Sequence, residues 1–265
     1  MRPLETDSVT FIGTATALLR LGPFTVLTDP DFLHRGQWSY FGQGLVSRRR
    51  TEPAMRPAEL PPLNAVVVSH LHGDHFDRIA RRELPHDVPI VTTGHAAAKL
   101  GKRGFTEPVP LATWARQDFI ESGATLGITA VPARHTAGPL NRLLPPVMGS
   151  VLEYHPAGGG APKRLYLSGD TVMHGGLAAI RQRFGHLDVA VLHLGGARAL
   201  GVLLSMDHEQ GVDLLELLRP ERVVPVHHDD YGLFGSPLSN FEAELDRRRP
   251  PTELHRLRRG ESLAL

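Results

Sequence analysis

Short apolar runs recur along the whole chain, each closed by glycine, proline or a cluster of polar residues. Residues 9–12, 17–21 and 24–28 read as three successive strands around Gly13, the last ended by the turn pair Asp29-Pro30. Residues 31–62 break the rhythm, with prolines, glycines, Trp38, Tyr40, Phe41 and arginines at 48, 49, 50 and 56. Loops that long in compact domains are usually functional or mobile. The apolar run 65–68 is a buried strand. Residues 76–84 then make a short helix ended by Pro85, 88–91 a strand, and 95–100 a helix closed by Gly101, with His95 capping or packing it.

Residues 107–111 and the run 118–126 read as an edge of a first sheet. From 127 onward the order strand, metal-ligand type, helix repeats loosely. Strand 127–133 delivers Arg134-His135. Strand 151–154 connects through Gly158-Gly159-Gly160 to strand 164–168, which ends at Asp170. A helix over 174–184, a strand over 188–194 and a helix over 208–218 follow, the last with Asp207 and Gln210 as a capping box. Strand 222–226 ends in His227-His228. Ser239 and Glu242 are expected to cap the final amphipathic helix, and the tail 253–265 to close a second sheet. No linker or composition break divides the chain. The pattern predicts one α/β domain over 1–265, its halves forming layers of an αβ/βα sandwich.

The chemistry concentrates in one turn, His70-Leu71-His72-Gly73-Asp74-His75, directly behind the strand at 65–68. Neutral imidazole is the commonest protein ligand for zinc-like metals, and carboxylate suits the harder ions. Neighbouring residues point apart, so four such groups in six residues serve two nearby ions better than one. His70 and His72 would take one, Asp74 and His75 the other.

Composition narrows the setting. Of 265 residues, 41% are hydrophobic and 22% charged, as in ordinary soluble domains. The net charge of +1 offers no global field for nucleic acid, and the clusters 48–50 and 247–249 read as solvated faces. There is no cysteine, which removes disulfides and thiolate ligands. The first seven residues lack a signal-peptide core, and no apolar run approaches the ~20 residues that span a bilayer. The expectation is a cytoplasmic protein acting on a small-molecule substrate, without nucleic acid or stable membrane insertion. A homo-oligomer stays open.

His-x-His-x-Asp-His after a strand resembles the signature of the metallo-β-lactamase fold hydrolases. Residues 59–70 resemble the branch containing ascorbate-6-phosphate lactonases and N-acyl-phosphatidylethanolamine phospholipase D-like enzymes. The resemblance implies a four-layer αβ/βα sandwich of the metallo-β-lactamase type and two divalent metal ions, zinc first, with manganese or iron compatible. It also implies the ligands, through the motifs at 131–135, 166–171 and 224–227. His70, His72 and His135 would bind the first ion, Asp74, His75 and His227 the second, and Asp170 would bridge them. Of the doublet, His227 falls two residues after Pro225 as the family requires, and strand alternation sends His228 the other way.

The implied reaction is attack by a metal-bridging hydroxide on an ester, lactone, amide or phosphodiester of a small anionic substrate. Asp74 would orient the water or receive its proton. His208 is a second catalytic candidate and His193 a pocket candidate, while Arg134, Arg142, Trp38 and Tyr40 are candidate substrate contacts. Thr14 stands where the family has a histidine. Two other readings stay open: a phospholipase D-like or nuclease phosphodiesterase, which the near-neutral charge disfavours for nucleic acid, and a non-catalytic metal-binding sensor.

Overall fold

The computed structural model describes residues 6–42, 44–199 and 201–265. The first half contributes β1 (Ser8–Gly13), β2 (Thr16–Leu21), β3 (Phe24–Thr28), β4 (Trp38–Tyr40), β5 (Val46–Arg48), β6 (Ala65–Val68), α1 (Arg78–Glu83), β7 (Ile90–Thr93), α2 (Gly94–Gly101) and β8 (Pro108–Leu111). Next come β9 (Arg116–Glu121), β10 (Ala124–Val131), β11 (Gly149–His155), β12 (Lys163–Leu167), α3 (Ala178–Phe184), β13 (Val189–His193), β14 (Arg198–Ala199) and β15 (Val202–Leu203). The chain finishes with α4 (His208–Leu218), β16 (Arg222–Val226), α5 (Leu238–Arg248), β17 (Glu253–Leu254) and β18 (Ser262–Ala264).

Two seven-stranded sheets result, ordered β18-β1-β2-β3-β6-β7-β8 and β17-β16-β13-β12-β11-β10-β9. Each is antiparallel on one side and parallel on the other, the change falling at β3 in the first and β12 in the second. Strands covered on both faces must be apolar at every position, which is why β6 and β13 read as unbroken runs. Their side chains alternate between cores. In β6, Val67 joins the cluster between the sheets with Leu126 and Leu152, whereas Val66 and Val68 pack outward with Ile79 of α1 and Leu100 of α2. In β13, Val189 and Val191 face the first sheet, and Ala190 and Leu192 face α3, α4 and α5 through Ile180, Leu214 and Phe241. The layer order is helix, sheet, sheet, helix, as expected. Among the described residues no helix is long and apolar enough to cross a membrane.

Several local expectations are corrected. The stretch at 118–126 belongs to the second sheet: β9 pairs with β10 as a hairpin, and the first sheet ends at β8. The tail divides, β17 closing the second sheet beside β16 while β18 pairs with β1 of the first. α2 is capped by Thr93, whose hydroxyl accepts from the Ala96 amide, and not by His95. α5 begins earlier than expected, behind Pro237, whose ring offers no side-chain cap; Ser239 lies inside the helix and Glu242 pairs with Arg256. The Asp207 cap of α4 forms, but the Gln210 side chain accepts from the Met173 amide at 2.9 Å.

The irregular stretch after β3 is anchored in two places. The β4–β5 hairpin clasps the metal-type turn, with the Gly73 amide donating to the Tyr40 carbonyl at 2.8 Å. A Cβ on residue 73 would lie 2.6 Å from Ser39 Oγ and 2.9 Å from Tyr40 O, so only glycine permits this approach. Farther along, Arg49 is 1% exposed and enters a buried ion network. Its guanidinium lies 3.1 Å from Asp31 Oδ1 and 3.4 Å from Asp230 Oδ1. Arg48 stacks over Trp38, and Arg248 ties α5 to Asp213 and Glu216 of α4. The basic clusters are therefore not simply solvated faces.

Candidate metal centre

The candidate residues all follow the carboxyl ends of strands, where open α/β sheets leave room for ligands. Asp29 follows β3, His70 to His75 follow β6, His135 follows β10, Asp170 follows β12, His193 ends β13 and His227 follows β16. Backbone hydrogen bonds lace these ends together: Asp29 N to Val67 O at 2.9 Å, Met148 N to Ser69 O at 3.1 Å and Ser168 N to Val191 O at 3.1 Å.

Two of the groups of donor atoms that lie mutually within 4.8 Å collect the anticipated ligands: His70, His72 and His135, then Asp74, His75, Asp170 and His227, with Asp29, His75 and His193 forming a further group alongside. All seven side chains anticipated from the sequence are thus brought together. In the first group, His70 Nε2 lies 2.8 Å from His72 Nδ1, and the His70 and His135 rings are 4.5 Å apart. In the second, His227 Nε2 is 3.0 Å from Asp74 Oδ2, and His75 Nε2 is 3.3 Å from Asp170 Oδ2. Asp170 stands with the second group, and its charge also acts on His72 and His135. His228 points away and stacks on Phe11.

Electrostatics divides the groups. Burial, reinforced by the neighbouring imidazoles, holds His70 well below its usual range and brings His135 down to about 4. Both stay neutral with a lone pair to offer. Burial would lower His75 as well, but the carboxylates of Asp170, Asp74 and Asp29 prevail and push it well above its ordinary value.

Buried polar atoms normally find partners. Here Asp74 Oδ1, His75 Nε2, His135 Nε2, Asp170 Oδ1 and His227 Nδ1 are buried without a hydrogen bond among the described residues. Five orphaned donor atoms converging from four strand ends fit divalent cations, and the nitrogen-rich chemistry suits the zinc end of the series. His227 adds strain: its φ of 59° places a non-glycine residue in the left-handed region, held there by the hydrogen bond its amide donates to Thr14 O at 2.7 Å.

Around the seven donors stand Asp29, which the sequence marks only as a turn residue, and His193, which it marks as a pocket candidate. Asp29 lies 3.1 Å from His75 Nδ1 and accepts from the Ser69 amide at 2.7 Å. Burial opposes its ionisation, but His75 and His193 bring its pKa down to about 2. His193 stacks against His75 with ring centres 5.6 Å apart and bonds Ser168 Oγ through Nδ1. Thr14, in place of the family histidine, donates from Oγ1 to Asp31 and from its amide to Asp230, joining the Arg49 network. His208 opens α4 with Nδ1 3.1 Å from Ser236 Oγ and lies outside both donor groups.

Of the proposed substrate contacts, Tyr40 and Arg142 line a cavity of about 600 Å³ beside His72. Trp38 is exposed under Arg48, and Arg134 acts on His174, neither of them lining that cavity.

Comparison with known proteins gives the same frame. Residues 25–228 match the model of the beta-lactamase superfamily domain. A metal-dependent hydrolase of Thermus thermophilus is 31% identical over 260 residues, covering 97% of this chain and 98% of its own. An N-acyl-phosphatidylethanolamine-hydrolyzing phospholipase D of Caenorhabditis elegans is 25% identical, over 92% of this chain and 68% of its own. Among solved structures, an isothiocyanate hydrolase from Delia radicum gut bacteria superposes with a TM-score of 0.81 at 23% identity, over 97% and 99% of the two chains. A possible metal-dependent hydrolase of Veillonella parvula gives 0.80 at 21%, over 98% and 100%. These two carry the likeness of fold. With the family match covering most of its length, the chain belongs to the beta-lactamase superfamily, among its metal-dependent hydrolases.

Proposed function

We propose that this enzyme hydrolyses an ester, lactone or phosphodiester bond of a small anionic substrate with two divalent cations, zinc foremost. His70, His72 and His135 would hold one ion, Asp74, His75 and His227 the other, and Asp170 would serve both. The observation that carries this reading is the set of orphaned buried nitrogen and oxygen atoms converging at one place. Bound there, such a pair supplies Lewis acidity and makes water acidic enough to attack near neutral pH.

The chain's own groups do the rest. Asp74 Oδ1, free of hydrogen bonds, is the acceptor available to orient the attacking water and take its proton. Asp29 fixes the His75 ring through Nδ1, leaving Nε2 turned toward Asp74 and Asp170. Arg142 and Tyr40 flank the cavity through which the substrate would approach His72. The activity named for the Caenorhabditis elegans relative makes phosphodiesters one arm of the substrate search.

Elemental analysis and a substrate screen test this together. The expected result is close to two divalent ions per chain, with zinc dominant. Hydrolysis of p-nitrophenyl esters, lactones or bis-p-nitrophenyl phosphate should disappear on chelation and return with added metal. Full activity in demetallated protein would overturn the reading. A companion expectation concerns Asp29→Asn, which keeps the size but loses the charge facing His75. Metal affinity should fall about 10–100-fold, the usual effect of removing a partner that orients a ligand. Unchanged affinity in a competition titration would remove Asp29 from that role.

A further inference from the structure

The cavity beside His72 is asymmetric in chemistry. Besides Tyr40 and His72, its wall carries His95, Lys99, Arg103 and Arg142, while the segment 143–146 supplies an apolar side, and no acidic residue lines it among the described residues. His95, Lys99 and Arg103 are spaced by four, so α2 and the turn after it present them along one face. Among the described residues none of Lys99, Arg103 and Arg142 has a salt bridge, whereas Arg49, Arg116, Arg164 and Arg248 each meet a carboxylate. Arg103 also borders a second depression formed by Arg78, Arg81, Arg82 and His86. Burial and the like charge of Arg81 both lower its pKa. Unpaired cations crowded together at the mouth of a site are unfavourable until an anion joins them. A near-neutral net charge conceals this local field.

We infer that the substrate is elongated, with a carboxylate or phosphate end gripped by Lys99 and Arg103 and an apolar middle lying along residues 143–146, which brings the scissile bond at its other end to His72. This deepens the hydrolase reading above and rests on it for the position of the bond. Arg103 offers a planar fork to either anion and Lys99 a point charge, so the site accepts both types of head group. The cavity volume of about 600 Å³ accommodates such a molecule without rearrangement.

A matched pair of esters provides the test: p-nitrophenyl hexanoate, whose acyl chain ends in methyl, and mono-p-nitrophenyl adipate, whose chain of equal length ends in carboxylate. With metal-loaded protein, kcat/KM should favour the adipate ester about tenfold, the scale of one charge-assisted contact. In the double variant Lys99→Ala/Arg103→Ala the preference should collapse toward parity through KM, and Lys99→Arg should retain it. Calorimetric titration with hexyl phosphate reads the anion site without turnover, and its affinity should drop by a similar factor in the double variant and with rising salt. Equal preference and equal hexyl phosphate affinity in native and doubly substituted protein would refute the anchor even while hydrolysis persists. Conversely, hexyl phosphate binding that depends on Lys99 and Arg103, in a protein that cleaves neither ester nor any phosphodiester, would uphold the anchor and sink the hydrolytic assignment.

Discussion

Alanine at both Asp74 and His75 is expected to reduce hydrolysis of every substrate by at least about 10³-fold, equivalent to losing roughly 4 kcal/mol of transition-state stabilisation. Asp74 Oδ2 faces His227 and His75 Nε2 faces Asp170, while Asp74 Oδ1 and His75 Nε2 lack hydrogen-bond partners among the described residues. The same variant should bind one divalent ion per chain, since the three-histidine group remains intact. Circular dichroism close to that of the unmodified protein would separate loss of chemistry from loss of fold. His228→Ala is the natural comparison, because that ring stacks on Phe11 and belongs to neither donor group; it should keep the full metal complement. If the double variant still turned over substrate at near-native rates, two-metal catalysis at this site would be untenable.

The second large effect concerns stability. Arg49→Ala leaves the buried carboxylates of Asp31 and Asp230 facing each other's network without the guanidinium that lies within 3.4 Å of both. Stranding a buried charge in this way typically costs about 3–5 kcal/mol. For a chain of this size that lowers Tm by roughly 10 °C, at about 2–4 °C per kcal/mol. Arg259 remains near Asp230, 3.0 Å from its Oδ2, so Asp31 is the more exposed to the loss. Calorimetry should show the fall, and adding Asp31→Asn to Arg49→Ala should restore part of it by removing the stranded charge. A Tm unchanged within about 2 °C would mean that the network is stabilised elsewhere. Since the Arg50 amide donates to the Asp230 carbonyl and residue 49 bridges to Tyr231, the damage would spread toward His227 as well.

The seven donor residues were legible because the signal is local. A ligand type directly behind an apolar run marks a strand end, and strand ends converge in an α/β fold. Asp29 carries the same signal, but Asp-Pro is so common a turn pair that a turn accounts for it without a role for the charge. Arg49 could not be read, because burial of an arginine depends on Asp31 and Asp230, the second of them 181 residues away. The face formed by His95, Lys99 and Arg103 was visible as a four-residue spacing. A surface helix ordinarily carries such cations, and only the apposition of residues 142–146 turns that face into a wall. Sheet membership failed at β9 and β18 for a related reason: alternation identifies a strand but not its partner, which hairpin closure decided at β9 and long-range edge pairing at β18.

The pairing of β18 with β1 bears on how the polypeptide acquires its shape. Thr10 and Ser262 share a hydroxyl contact across 252 positions of chain, and the strand beginning at Ser8 has its outer border covered by a segment synthesised long afterwards. During biosynthesis that border stays open, an invitation to foreign strands until the late segment arrives. Contacts of such separation also slow conformational search. The domain is thus fastened like a drawstring, β1 and β18 meeting only after the long stretch between them has been made.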